Sequence, residues 1–243
     1  MAAGFGVVSQ AEVNRPGGQV HALFSSCFQP QLPRGNNSRV TCCHARAMLR
    51  PAMNRATEAF ISSELFDLGQ GYVVFTRFRG GEAELGVFLV DVFCLGVKDA
   101  FYTRVGEPEY EQKALDRMLP PGTRKPLTPS SARKLVEDAV AYARRLGFAP
   151  HPDYKLACRV FGGTDAAAAT DTFAFGQDGK PCYIQGKFDS PEQCLHNLKQ
   201  LRAHCGDGNF DFLVLSDESV VQGMADAGFT GGQKVPKPPV DLN

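Results

Sequence analysis

Two adjacent glycines, Gly80 and Gly81, stand between runs that alternate apolar and polar residues, YVVFTRFR before and EAELGVFLVDVF after. Alternation with a period of 2 is the mark of a half-buried strand, and two glycines supply the positive φ angles that a tight type I′ turn demands. The stretch therefore predicts a β-hairpin. Pairing across the turn sets Arg79 opposite Glu82 and Arg77 opposite Glu84, two opposite-charge pairs on one face, so the register has an electrostatic check. In that register Tyr72, Val74, Val87, Leu89 and Asp91 share the other face. Asp91 thus lies among apolar neighbours at the base of the hairpin.

The pattern after the hairpin alternates between helix and strand signals. Glu107 to Met118 carries acids at its start and Lys113 and Arg117 near its end, the charge order that a helix dipole favours. A stronger helix follows, with Thr128 as cap, Pro129 in the first position and Ala132, Leu135, Val136, Ala139, Val140 and Ala143 repeating at 3 and 4. Gly147 ends it. DTFAFGQDGKPCYIQG, with short alternating runs about a turn, predicts a second hairpin. The segment after it predicts a helix capped by Ser190, with Pro191 first, Gln193 completing a capping box, and an inward stripe of Cys194, Leu195, Leu198, Leu201 and Cys205. FDFLVL predicts a last strand and SDESVVQGMADAGF a last helix.

These elements predict an α+β protein with a mostly antiparallel sheet, built from two hairpin-plus-helix halves at residues 57–125 and 126–230 that pack as one globule. Residues 231–243, rich in proline, read as a flexible tail. Residues 1–56 have clusters of Gly, Pro, Asn and Ser with no sustained period, and read as a disordered extension. They hold six Arg, no Lys and one acid, Glu12. Because the whole chain sums to zero, the remainder carries −5 against their +5. The extension lacks the apolar core of a secretory signal, and its Arg enrichment leaves organelle targeting as a minority alternative to a cytoplasmic location.

Five segments, ISSELFDLGQGYVVFTR, GVFLVDVFCLGVKDAFY, AVAYARRLGFAPHPDY, FGQDGKPCYIQGKFDSPEQC and GDGNFDFLV, resemble in that order a family of bacterial proteins without an assigned activity. The resemblance runs from about Ala59 to Leu215 and implies a common fold and a site location, not a reaction. Cys182 stands where relatives tend to have a bulky aromatic residue, and Asp211 where they tend to have His.

Composition restricts the function classes. The longest apolar run, Val87 to Val97, is broken by Asp91 and falls far short of the roughly 18 to 20 residues that span a bilayer, so no membrane association is expected. A neutral balance does not supply the broad basic footprint of phosphate neutralisation. The eight cysteines include no C-x-x-C pair and read as reduced thiols.

Three polar residues are candidate catalytic groups. A carboxylate on an apolar strand must be paired, protonated or bound to a cation, because leaving it bare costs several kcal/mol. For Asp91 the candidate ion-pair partners are Lys98 and Arg104. Asp91 with Asp99 also suits a divalent cation such as Mg²⁺ or Mn²⁺, if the chain bends at Gly96. His151, in APHPDY, has Asp153 two residues on, which fits either a general base in a fixed tautomer or a residue that pins a turn. A second group, Lys180, Tyr183 and Lys187 with Arg144 and Arg145, fits a basic and aromatic patch for an acidic protein surface or a nucleic-acid backbone. His196 and His204, eight apart on one helix, lack the spacing of a zinc pair, and no glycine-rich stretch matches a nucleotide-binding loop. The expectation is a non-enzymatic binding or accessory module. The alternative is a divalent-metal-dependent hydrolase, such as a nuclease, centred on Asp91.

Overall fold

A computed structural model describes residues 6–7, 57–186, 188–214, 218–229 and 233–234. Strand β1 is Gly6–Val7, β2 Thr57–Ser62, β3 Gln70–Arg79, β4 Glu82–Asp91, β5 Gly96–Gly106, β6 Arg124–Leu127, β7 Cys182–Ile184, β8 Asp211–Val214 and β9 Gln233–Lys234. The helices are α1, Leu65–Leu68; α2, Asp116–Met118; α3, Pro129–Arg145; α4, Tyr154–Ala157; α5, Pro191–Cys205; and α6, Glu218–Asp226.

The larger sheet has the order β5-β4-β3-β2-β6 with every pair antiparallel. Its first hairpin forms in the register the charges predict, Arg77 opposite Glu84 and Arg79 opposite Glu82, with Gly80 and Gly81 at φ 62° and 80°. Glu84, almost buried, accepts from Arg77 and pairs with Arg104 of the next strand, each at 3.0 Å. One face of this sheet packs Val73, Phe75, Phe88 and Val90 against Leu135, Val136 and Ala139 of α3. That helix starts where the sequence places its cap: Thr128 Oγ1 accepts from the Ser131 amide. Its fully buried Leu135 alone contributes about 2–3 kcal/mol by leaving water. The opposite face packs Val74, Leu85 and Val87 against Tyr110, Leu115 and Leu119. Tyr110 and Leu115 belong to the predicted helix after the sheet, which is tightened at Glu107–Glu109, widened into a π-helical turn at Tyr110–Leu115, and closed by α2, with Leu119 just past its end.

The second half departs from the predicted hairpin. GQDGKP does make a tight turn, with Asp178 and Gly179 at φ 51° and 80° and Gln177 bridging Lys180. The residues before it form no strand. Phe173 instead stacks on Phe66, and Phe175 on Tyr142 of α3. The residues after the turn become β7, which pairs in parallel with β8 across the intervening α5. The smaller sheet, order β7-β8-β1-β9, is parallel wherever its pairs are described. Of the expected N-terminal extension only Gly6 and Val7 are described, paired with β8 and β9; the expectation for its other residues, and for most of the tail, lies outside the described residues. A third core of Tyr183, Cys194, Leu198, Leu201 and Phe212 fills this half, joined by Leu146 from the end of α3 and by Cys94, which reaches in from the first half. Among the described residues no helix is long and apolar enough to cross a membrane.

Candidate binding cleft

The apolar stretch that holds Asp91 is a strand, a turn and a second strand. After Asp91 the chain turns through residues 92–95 and returns as β5, so that Asp91 lies opposite Gly96. Two residues on, the ladder slips: Val90 pairs with Val97 and Leu89 with Asp99, which leaves Lys98 as the extra residue of a β-bulge. A bulge bends the strand and redirects the side chain it carries. It brings Lys98 to the wall of a cleft of about 650 Å³. The other walls are the 148–152 loop, which follows α3, and the start of α5.

Asp91 is 1% exposed and does not line this cleft. Its Oδ1 accepts from the amides of Phe93 at 3.0 Å and Cys94 at 2.8 Å, which ties the turn together. Its Oδ2 is buried and has no hydrogen-bond partner among the described residues. Burial pushes the carboxyl from 3.8 up to about 6, while the Lys98 charge and the turn amides restrain that rise. The expected ion pair is therefore replaced by backbone amides. Arg104 is engaged with Glu84, and Lys98 acts on Asp91 through its charge without an ion pair, its Nζ lying 3.5 Å from Gln70 Oε1. The same turn makes Asp91 and Asp99 neighbours in the ladder without making them a pair, since Asp99 is exposed and faces His151. Among the described residues no three His, Cys, Asp or Glu side chains gather as metal ligands would.

His151 sits on the cleft wall and pins its loop, as the second of its two sequence readings has it. Its amide donates to Val97 O, and its Nδ1 accepts from the Asp153 amide at 3.3 Å. Asp99 Oδ1 and Asp153 Oδ2 lie 3.8 and 4.0 Å from Nδ1. A general base oriented by an acid needs Nδ1–H aimed at the carboxylate. Here that nitrogen accepts from an amide, which puts the proton of the neutral ring on Nε2, so the base arrangement is not formed.

Among the described residues the expected basic and aromatic patch does not assemble. Tyr183 is fully buried, so its ring is not a surface for a ligand to stack on. Lys180 is paired with Asp211 at 2.8 Å, and the Arg145 guanidinium lies over the Tyr142 ring. Lys187 lies outside the described residues. Arg144 lines a second recess, of about 590 Å³, which also borders the 148–152 loop, together with Lys155.

What the cleft does gather is a set that the sequence reading passed over. Asp189 precedes the α5 cap, and its Oδ2 accepts from Tyr183 Oη at 2.7 Å and from the Gly186 amide at 2.8 Å. Burial raises the Tyr183 hydroxyl well above its ordinary range, so it stays a donor. Asp189 Oδ1 makes no hydrogen bond among the described residues. Asn197 is 4% exposed; its Oδ1 accepts from Gln193 Nε2 at 3.0 Å, and its Nδ2 has no acceptor among the described residues. The positive end of α5 is already used: Ser190 Oγ accepts from the Gln193 amide and donates to Glu192, whose carboxyl is held below its usual range by that hydroxyl and its own amide. Gln193 therefore completes only half of the expected capping box, its side chain being turned to Asn197. Leu95, Phe148 and Phe188, the last 67% exposed, make the apolar part of the lining.

The five described cysteines are free, and burial pushes the Cys94 thiol up and the Cys182 thiol to about 12, so these two are packing groups rather than nucleophiles. No family model, curated protein or solved structure matches the chain at a significant level.

Proposed function

We propose that the protein is a non-enzymatic binding module whose ligand occupies the cleft between Lys98, the 148–152 loop and the start of α5. The observation that carries this reading is Asn197. It lines the cleft, its Oδ1 is taken by Gln193 Nε2, and its Nδ2, with no acceptor among the described residues, is a donor left for whatever enters. A cleft of about 650 Å³ lies within the range of small-ligand sites, and its mixture of apolar walls with a few placed polar groups is their usual make-up. The bonding of Asp91 and His151 supports binding over catalysis, because each spends its acceptor on a backbone amide and holds a turn. The likeness to the bacterial family, resting on the five quoted segments, fits a shared site location.

The test is chemical-shift mapping on the full chain with a library of small polar fragments. Bound fragments are expected to shift the Asn197 side-chain amide and the amides of residues 148–152. Replacing Asn197 with Leu should remove those shifts while leaving the spectrum dispersed. Fragments that gather elsewhere, or bind the Leu variant equally well, would overturn the reading.

A further inference from the structure

We infer that the cleft takes a small zwitterion of the α-amino-acid type, its ammonium on Asp189 and its carboxylate on Lys98 and the Asn197 amide. This rests on the cleft being a binding site, as argued above, and adds the class of ligand. Three groups point to it independently.

Asp189 is a carboxylate built to stay in place. Two donors, the buried Tyr183 hydroxyl and the Gly186 amide, hold one oxygen, and the second oxygen is left without a hydrogen bond among the described residues. A fixed anion with a spare acceptor suits a charged donor such as an ammonium, since charge-assisted hydrogen bonds are roughly twice as strong as neutral ones. Lys98 supplies the opposite charge. Its bulge position places it on the wall of the same cleft formed by β5, and among the described residues it has only a long contact to Gln70 and no ion pair with a carboxylate. Asn197 Nδ2 adds a neutral donor from the α5 part of the lining.

Asp189 and Lys98 line one cleft without pairing with each other. A ligand of a single charge would satisfy one and leave the other desolvated beside it, which disfavours a simple anion and a simple amine alike. A zwitterion satisfies both. The competing anion site, the helix N-terminus, is closed by Glu192 and Ser190. Leu95, Phe148 and Phe188 leave an apolar wall for a side chain, so amino acids with apolar or aromatic side chains are favoured over charged ones.

The experiment titrates the full chain with the proteinogenic L-amino acids, each beside its N-acetyl and C-terminal amide forms, reading the Asn197 side-chain amide by NMR and affinity by calorimetry. At least one free amino acid is expected to bind, and each blocked form to bind about tenfold or more weakly. In Asp189→Asn the preference for the free amine over the N-acetyl form should vanish, and in Lys98→Met the preference for the free carboxylate over the amide. The wild-type comparison stands alone if either variant fails to fold. Free and blocked forms that bind equally would overturn the zwitterion assignment and leave the cleft a binding site. Binding of polar fragments in the cleft with no amino acid among them would do the same, whereas a cleft that nothing enters would bring down both readings.

Discussion

The Asp91 carboxyl gives the most direct test of how the turn after β4 is held. Its folded value of about 6, against 3.8, means that the folded state binds the proton more tightly than the unfolded one. Ionising it therefore costs stability: the penalty begins as pH rises past about 4 and is complete above about 6. A difference of about 2 in pKa, at 1.36 kcal/mol each, makes that penalty about 3 kcal/mol at neutral pH. Asp91→Asn keeps the Oδ1 acceptor for the Phe93 and Cys94 amides and removes the charge, replacing the unpaired Oδ2 with an equally unpaired NH₂. The assay is urea unfolding of wild type and variant in parallel from pH 4 to pH 8. The stability of Asn relative to Asp should rise by about 2.5 kcal/mol across that range, whatever other groups titrate, and level off above about 6. Asp91→Ala loses the acceptor as well, leaves two buried amides bare, and should lie below Asn by about 2 kcal/mol or more at every pH. A constant gap between Asp and Asn from pH 4 to pH 8 would refute the reasoning, and so would an Asn variant less stable than wild type at pH 8 by several kcal/mol. Adding Mg²⁺ or Mn²⁺ should move neither curve, and a metal-dependent stabilisation that Asn abolishes would return Asp91 to the role of a ligand.

Two further outcomes bear on the frame around the cleft. Gly96 has φ 67°, and a Cβ there would stand 2.6 Å from Ala143 Cβ and 2.7 Å from Ala139 O, so Gly96→Ala should lower stability in chemical denaturation by about 3 kcal/mol. The Lys180–Asp211 pair, about a third exposed on each side, should show a coupling of about 1 kcal/mol or less in a double-mutant cycle, falling with added salt.

Legibility followed the range of the interactions. The Gly80–Gly81 hairpin was written locally, in two glycines, two alternating runs and two charge pairs, and its register was readable residue by residue. Thr128 and Ser190 announced their helices because a cap bonds within three residues of itself. The parallel pairing of β7 with β8 has no such signature, since the partner of Cys182 is Asp211 and a whole helix lies between. The turn at Asp178–Gly179 invited a hairpin, and the aromatic contacts of Phe173 and Phe175 with Phe66 and Tyr142 pulled its first arm away. Asn197 did leave a trace: it stands three residues after Cys194 and four before Leu201, on the inward stripe of α5, where a polar side chain is out of place. Asp189 left none, because its importance comes from Tyr183 and Gly186, residues that only the folded loop brings to it.

The turn that Asp91 ties is also a seat. The carbonyls of Val92 and Phe93 receive the amides of Gly176 and Cys182, so the second half of the chain hangs its first strand on a corner of the first half. The larger sheet needs nothing beyond Leu127 to close. On a ribosome adding about 5–20 residues per second, Gly176 is made roughly 4–16 s after Gly96, long enough for a meander of neighbouring strands to form and wait. During that interval Cys94, and Leu146 once it is made, lack the later third-core residues Tyr183, Cys194, Leu198 and Leu201. A chain halted before residue 176 would therefore hold a finished sheet with an open apolar corner, the kind of surface that holding chaperones bind. A variant that loosens the corner would harm the protein most while it is being made.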